Sequence, residues 1–381
     1  MSSRGSVGRT FAFAVAGCAV VAASTPARAD SMDPSTDRLF NQPTTSNGKP
    51  LIPASFKGGC QAIARNPTVL TKAPFPTGAA GNAAAYACQP DNVSFDNLVT
   101  EYGFAIAPNA FHPARTTGFG GFAFTFEASY TKINADTKDS AGVQYWHQGT
   151  QGPVNPNTNQ FSITNATPDS LLQVYSLKAR KGFPFGFEIT GDVGYIPNTS
   201  LWIAGADVRW ALLEGFRTGF LGFIPDVSAG GGVRTMSGTS EFDLTTVGID
   251  VQVSKGIALA DSAVLTPYVG YQRLYIFGDS QSVSFTPNVN PVTACGFTGN
   301  ASNGQPNCRN GGLSNFAFNE DSVFSSVRNH RDRGIIGLNY RYEVLYLAGQ
   351  FLVDLVDPSS EDPLLAGARQ WTLSFEGGVY F

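Results

Sequence analysis

From Gly118 to the last residue the chain alternates apolar and polar positions with a period of two. In GFAFTFEASY, Phe122, Phe124, Phe126, Ala128 and Tyr130 share one face, while Thr125, Glu127 and Ser129 share the other. FPFGFEITGDVGY sets Phe183, Phe185, Phe187, Ile189, Val193 and Tyr195 against Glu188, Thr190 and Asp192. LWIAGADVRWAL sets Trp202, Ala204, Ala206, Val208, Trp210 and Leu212 against Asp207 and Arg209. Successive side chains of a strand point to opposite faces, so each stretch predicts a strand with one apolar face. Less regular alternation over 171–180, 225–236, 243–254, 263–275, 334–343, 345–355 and 370–381 extends the series. An all-β antiparallel architecture of about ten strands follows.

A soluble sandwich also alternates, and two features separate it from a closed barrel. Aromatic residues sit toward the strand ends of the apolar stripe, eight residues apart from Trp202 to Trp210 and ten from Trp371 to Phe381. At about 3.3 Å per residue and a tilt near 40–45°, these intervals span roughly 20–25 Å, the height of a lipid-facing band. The opposite stripe carries ionisable groups: Glu127, Lys178, Glu188, Arg209, Asp250, Arg341, Glu343 and Glu376. A sandwich would turn that stripe to water, whereas a small barrel turns it into its lumen. The prediction is a closed antiparallel up-and-down transmembrane β-barrel over 118–381, of about ten strands in a range of roughly eight to fourteen. An even count puts both barrel termini at one end and the longest gaps, 134–170 and 276–333, at the other. Aligning the hairpin around 196–201 sets Glu188 opposite Arg209 and predicts an ion pair.

The final strand carries Trp371, Leu373, Phe375, Gly377, Val379 and Phe381, alternating with Thr372, Ser374 and Glu376. It resembles the C-terminal assembly signal of bacterial outer-membrane β-barrel proteins, with the departure that two glycines, Gly377 and Gly378, stand near the end. LTPYVGYQRL (265–274) is likewise similar to strands of small barrels. The resemblance is architectural and reaches no subfamily. It implies insertion by the barrel assembly machinery into the bacterial outer membrane, with membrane lipid as a partner.

The remaining chain divides in two. Residues 1–29 read as a signal peptide: Arg4 and Arg9 precede the apolar run Phe11–Ala23, and Ala27-x-Ala29 marks a cleavage site. Val15-Ala16-Gly17-Cys18 also resembles a lipobox, so lipidation at Cys18 stays open. Residues 30–117, rich in Pro, Ala, Gly and Asn, lack sustained alternation and form a non-barrel N-terminal region, either a periplasmic extension or a partial plug. A short helix is expected over 95–104 with Asp96 as its cap. Ten strands enclose little beyond their own side chains, so the whole region does not fit inside. Beyond the signal the cysteines are Cys60, Cys88, Cys295 and Cys308. An exported chain favours disulfides, and of three connectivities the local pairs Cys60–Cys88 and Cys295–Cys308 are preferred.

Charge and chemistry narrow the function. Charged residues make up 14% and the net charge is −4, which gives no footprint for nucleic acid. Mean hydropathy is near zero and there is no apolar run of the length a spanning helix needs. His112, His147 and His330, with Asp139, Asp321 and Asp332, invite comparison with the ten-stranded outer-membrane proteases (omptins), but no motif carries over. No cofactor loop or metal-ligand spacing is present in the sequence. The expected function is a non-enzymatic outer-membrane barrel, structural or surface-exposed, with a side-chain-filled lumen. The alternative is a passive transport barrel for small or hydrophobic solutes with the N-terminal segment as hatch, similar in plan to the fatty-acid transporters.

Overall fold

The computed structural model describes residues 69–81, 88–109, 112–134, 170–215, 223–260, 263–284, 321–357 and 369–381, with shorter pieces between 32 and 68, at 82–86 and between 297 and 308. The signal peptide, Cys18, Asp139, His147 and Cys295 lie outside the described residues.

Ten strands close into one ring: β1 (Phe122–Lys132), β2 (Leu171–Gly182), β3 (Phe187–Tyr195), β4 (Trp202–Leu213), β5 (Asp226–Ser237), β6 (Phe242–Ser254), β7 (Ala263–Ser280), β8 (Val327–Tyr342), β9 (Leu345–Asp354) and β10 (Trp371–Tyr380). Every neighbour in sequence is an antiparallel neighbour in space, and β10 pairs with β1 from Thr372↔Thr131 to Tyr380↔Ala123. Closure continues to the last residue, since the Phe122 amide donates to the Phe381 carbonyl at 3.0 Å and the Phe381 amide returns the bond at 2.8 Å. A closed ring leaves no strand edge unpaired, which is what a sheet in hydrocarbon requires. A further four-residue strand, Ile257–Ala260, pairs with the start of β7 at one rim.

The end carrying Phe122 and Phe381, here the near end, has short connections at 183–186, 255–262 and 343–344. The far end carries the three longest, 133–170, 281–326 and 355–370. The connection 214–225, of which 216–222 lie outside the described residues, is also at the near end.

The two stripes of each strand separate as the period of two requires. Phe124, Leu177, Val193, Val208, Ile249, Val269, Ile336, Leu347 and Phe375 all face outward and are exposed. Aromatic pairs bracket this band: Phe187 stacks on Trp210 with ring centres 5.6 Å apart at the near end, and Tyr195 meets Trp202 at 5.0 Å at the far end. Both are direct cross-strand neighbours in the β3–β4 register. Such an outward apolar belt with aromatic rims suits lipid on all sides. In the last strand Leu373, Phe375 and Phe381 are exposed, while Thr372, Ser374 and Glu376 are buried.

Three boundaries differ from the alternation. Phe183–Gly186 form the β2–β3 turn instead of extending β3, and Phe185 adopts the left-handed region at φ 64°. Strands β7 and β8 run beyond the expected 275 and begin before the expected 334. There the outward residues are Phe277, Asp279, Arg328, His330 and Asp332, so the ladder continues past Phe277, where the apolar stripe stops. The helix α1 (Asn92–Ile106) is longer than expected and is capped by Asp91, not Asp96: the Asp91 carboxylate accepts from the Ser94 amide at 3.1 Å.

Candidate functional site: the filled lumen

The N-terminal region reaches the interior by a route the strand pattern did not suggest. Helix α1 lies inside the far half of the barrel. Phe95, Leu98, Val99, Tyr102, Phe104 and Ile106 are buried against inward residues such as Leu172, Ile203, Phe242, Leu244, Leu274 and Ile276. A helix buried all round must be apolar on most faces and must satisfy its few polar groups. Glu101 accepts from the Asn134 amide and side chain at 3.1 and 2.7 Å, and the Asn329 side chain donates to Asp96 and Thr100 at 2.5 and 2.7 Å. Two glycines permit the close approach. A Cβ on Gly103 would stand 2.5 Å from Ile276 Cγ2, and one on Gly278 would stand 2.4 Å from Val99 Cγ1.

Beyond Ile106 the described residues 107–109 and 112–117 lead through the near half toward β1 as a strap without regular secondary structure. Barrel side chains hold it largely by its backbone. Arg333, fully buried, donates to the carbonyls of Phe104 (3.2 Å) and Pro108 (2.8 Å), and Gln272 also donates to Pro108 (3.1 Å). Arg209 donates to the carbonyls of His112 (2.8 Å) and Pro113 (3.2 Å). Glu188 accepts from the Thr117 amide at 2.8 Å, and Ser254 accepts from the Ala114 amide at 3.1 Å. Arg333 thus sits at the C-terminal end of α1, where the helix dipole favours a cation. The guanidinium groups of Arg331 and Arg333 also lie 5.5 and 5.1 Å from the Phe104 ring centre.

Around the strap runs a ring of buried charges. Lys178 pairs with Glu127 and lies 3.8 Å from Asp192, and Arg234 bridges Asp192 (3.3 Å) and Asp207 (2.7 Å). Arg180 pairs with Glu376 at 2.5 Å, Arg209 with Asp250 at 3.3 Å, and Arg331 with Asp354. Charges out of water need partners of this kind, and networks satisfy them better than isolated pairs.

Of the eight charges expected in the lumen, Glu127, Lys178, Glu188, Arg209, Asp250 and Glu376 are buried in the interior. Arg341 and Glu343 are exposed at the near rim: Arg341 lies over the Tyr380 ring at 4.3 Å, and Glu343 occupies the β8–β9 turn at φ 50°. Glu188 and Arg209 are cross-strand neighbours, yet the expected ion pair does not form. Each turns to the strap instead, because a carbonyl pair and an amide offered there need partners of opposite character. Arg180, Arg234, Arg331 and Arg333 were missed as interior groups. For Arg331 and Arg333 the reason is that HRDR (330–333) reads as a solvated charge run.

The cysteine pair Cys60–Cys88 is disulfide-bonded. The pairing of Cys295 with Cys308 lies outside the described residues. His330 and Asp332 face outward, where Asp332 accepts from the Tyr271 hydroxyl at 2.5 Å and lies 3.7 Å from Arg273. His112 instead lies in the lumen, 3.4 Å from Glu188. Among the described residues no cluster of three or more His, Cys, Asp or Glu is set to hold a metal ion.

Among the described residues, open space in the lumen lies at the near end. A cavity of about 390 Å³ there is lined by Arg115, Thr117, Asn339, Arg341, Tyr346 and Tyr380 among others. Beside the strap, a void between Asn109, Lys178 and Arg209 and another between Asn109, Glu127 and Arg234 measure about 10 Å³ each. That is room for about one water apiece.

No family model matches this chain, and no curated protein matches it. Solved structures that resemble it are bacterial outer-membrane barrels. Ail, the attachment invasion locus protein of Yersinia pestis, is 10% identical, with 69% of this chain and 99% of Ail covered and a TM-score of 0.23. Neisserial surface protein A is 9% identical over 68% and 97%, at 0.22. The outer-membrane protease OmpT of Escherichia coli is 9% identical over 72% and 98%, at 0.23. A likeness at this level decides nothing about function. The closed ring of hydrogen-bonded strands decides the fold.

Proposed function

We propose that the protein is a bacterial outer-membrane β-barrel, non-enzymatic and surface-exposed, whose lumen is held closed by its own N-terminal segment. The observation that carries this reading is the filling of the interior: α1 occupies the far half, and among the described residues water-sized voids beside Asn109 separate it from the cavity of about 390 Å³ that Arg115 and Thr117 line at the near end. The outward belt and its aromatic rims support a place in a bilayer of outer-membrane type. The alternation ending at Phe381 supports insertion by the barrel assembly machinery, and the first 29 residues support export.

A second reading, the passive transport barrel with a hatch, is favoured by one feature. The wall facing the strap is charged and hydrogen-bonding, so it would remain wettable if the strap left. Conductance in planar bilayers separates the two. The purified protein should show no stable openings, and Arg209→Ala, which releases the His112 and Pro113 carbonyls, should raise open probability. Large, long-lived openings in the unmodified protein would contradict the closed barrel and favour transport.

A further inference from the structure

The barrel's termini and its N-terminal region lie at opposite ends. Strand β1 begins beside Phe381 at the near end. The strap runs from there up the lumen, and the described residues before α1 emerge at the far end. The Thr36 amide and hydroxyl donate to Glu241 of the β5–β6 turn at 2.5 and 2.6 Å, and the Tyr102 hydroxyl donates to the Met32 carbonyl. The Ser325 amide donates to the Asn92 side chain at 2.8 Å, and Phe95 stacks on Phe324 with ring centres 4.6 Å apart. Met32 and Leu39 are buried in the same cluster as Phe242. A second, smaller core joins Ile52, Cys60, Ile63, Leu70, Phe75 and Tyr86, closed by the Cys60–Cys88 disulfide. The antiparallel pair Phe40–Asn41 with Gln89–Pro90 ties this core to the start of α1.

In outer-membrane barrels the short turns face the periplasm and the long loops face outside. The near-end connections are 183–186, 214–225, 255–262 and 343–344, whereas the far end carries the three longest, 133–170, 281–326 and 355–370. We infer that residues 32–90 form a disulfide-closed subdomain displayed on the outer surface, and that the barrel carries its own N-terminal region across the membrane through its lumen. This rests on the outer-membrane reading above. The lumen holds one helix in its far half and one chain segment in its near half, which leaves no width for a disulfide-closed loop to pass. The segment therefore reaches the far side before packing around residues 107–117 is complete.

The test is labelling of single cysteines with a membrane-impermeant polyethylene-glycol maleimide on whole cells making the full chain. Thr77→Cys places a thiol on an exposed turn of the subdomain, and Val344→Cys places one on the exposed near-end turn. The expected result is equal labelling of Thr77→Cys before and after permeabilisation, and labelling of Val344→Cys only afterwards. Ser46→Cys, also exposed, repeats the first measurement should Thr77→Cys fold poorly. Labelling of the subdomain thiols only after permeabilisation, with Val344→Cys also protected on intact cells or labelled there instead, overturns the inference. Membrane fractionation and heat-dependent gel mobility are read on the same samples. Loss of the protein from the outer-membrane fraction would sink the outer-membrane reading itself.

Discussion

The two halves of the lumen are filled by different physics. In the far half the wall is largely apolar, with the Arg331–Asp354 pair set into it, and α1 presents Phe95, Leu98, Tyr102 and Phe104 to it. Each such side chain contributes about 1.5–3 kcal/mol by leaving water. In the near half the wall is charged, and the strap offers mainly backbone carbonyls and amides to it. The upper plug is held by area and shape, and the lower one by directed hydrogen bonds to buried side chains. The contrast shows how a ten-stranded barrel can close twice, with a stable stopper above and a segment below that depends on a few arginines.

The sharpest way to break the lower closure is Arg333→Ala. It leaves the Gln272 side-chain oxygen and the Phe104 carbonyl without their buried donor, and Pro108 with Gln272 alone, so unfolding in detergent, followed by tryptophan fluorescence in urea, should show a loss of about 3–6 kcal/mol, at about 1.5–3 kcal/mol for each of the two. Removing the disulfide with Cys60→Ala and Cys88→Ala acts on a third region. A loop with a sequence separation of 28 should lose about 3 kcal/mol of local stability. Limited proteolysis should then cut within 32–90 while the barrel keeps its mobility on gels. The upper closure answers to shape: Gly103→Val drives a side chain into Ile276 and should cost about 1–3 kcal/mol. Ile276→Ala should recover part of that loss in a double-mutant cycle. The smallest effect belongs to the exposed pair outside both halves. Arg328 donates to Asp279 at 2.7 and 3.0 Å, yet Arg328→Ala should change stability by about 0.5 kcal/mol or less.

The barrel was legible because a period of two, repeated with aromatics at its ends, is written in each strand separately. Phe122–Tyr130 and Trp202–Leu212 need no knowledge of their neighbours to be read. The lumen was legible only as a list of inward charges, since a strand pattern tells which way Glu188 and Arg209 point but not what stands before them. Their partners come from 107–117, a stretch of APNAFHPARTT with no period at all. The burial of α1 had one signal: VSFDNLVTEYGFAI is apolar on too many faces for a surface helix, and its Gly103 marks a close approach. Arg331 and Arg333 were hidden because the alternation of β8 begins above the belt, where outward residues are polar too.

Helix α1 lies against β7 inside the barrel, and the plugged lumen depends on that contact. A Cβ built on Gly278 would be 3.6 Å from Val99 Cβ, within the range of about 3.5–4.5 Å found in disulfides. Val99→Cys with Gly278→Cys should therefore cross-link under mild oxidation in native membranes, giving a reducible shift in gel mobility. Free thiols at both positions, reacting with a small maleimide while the barrel remains folded, would contradict it.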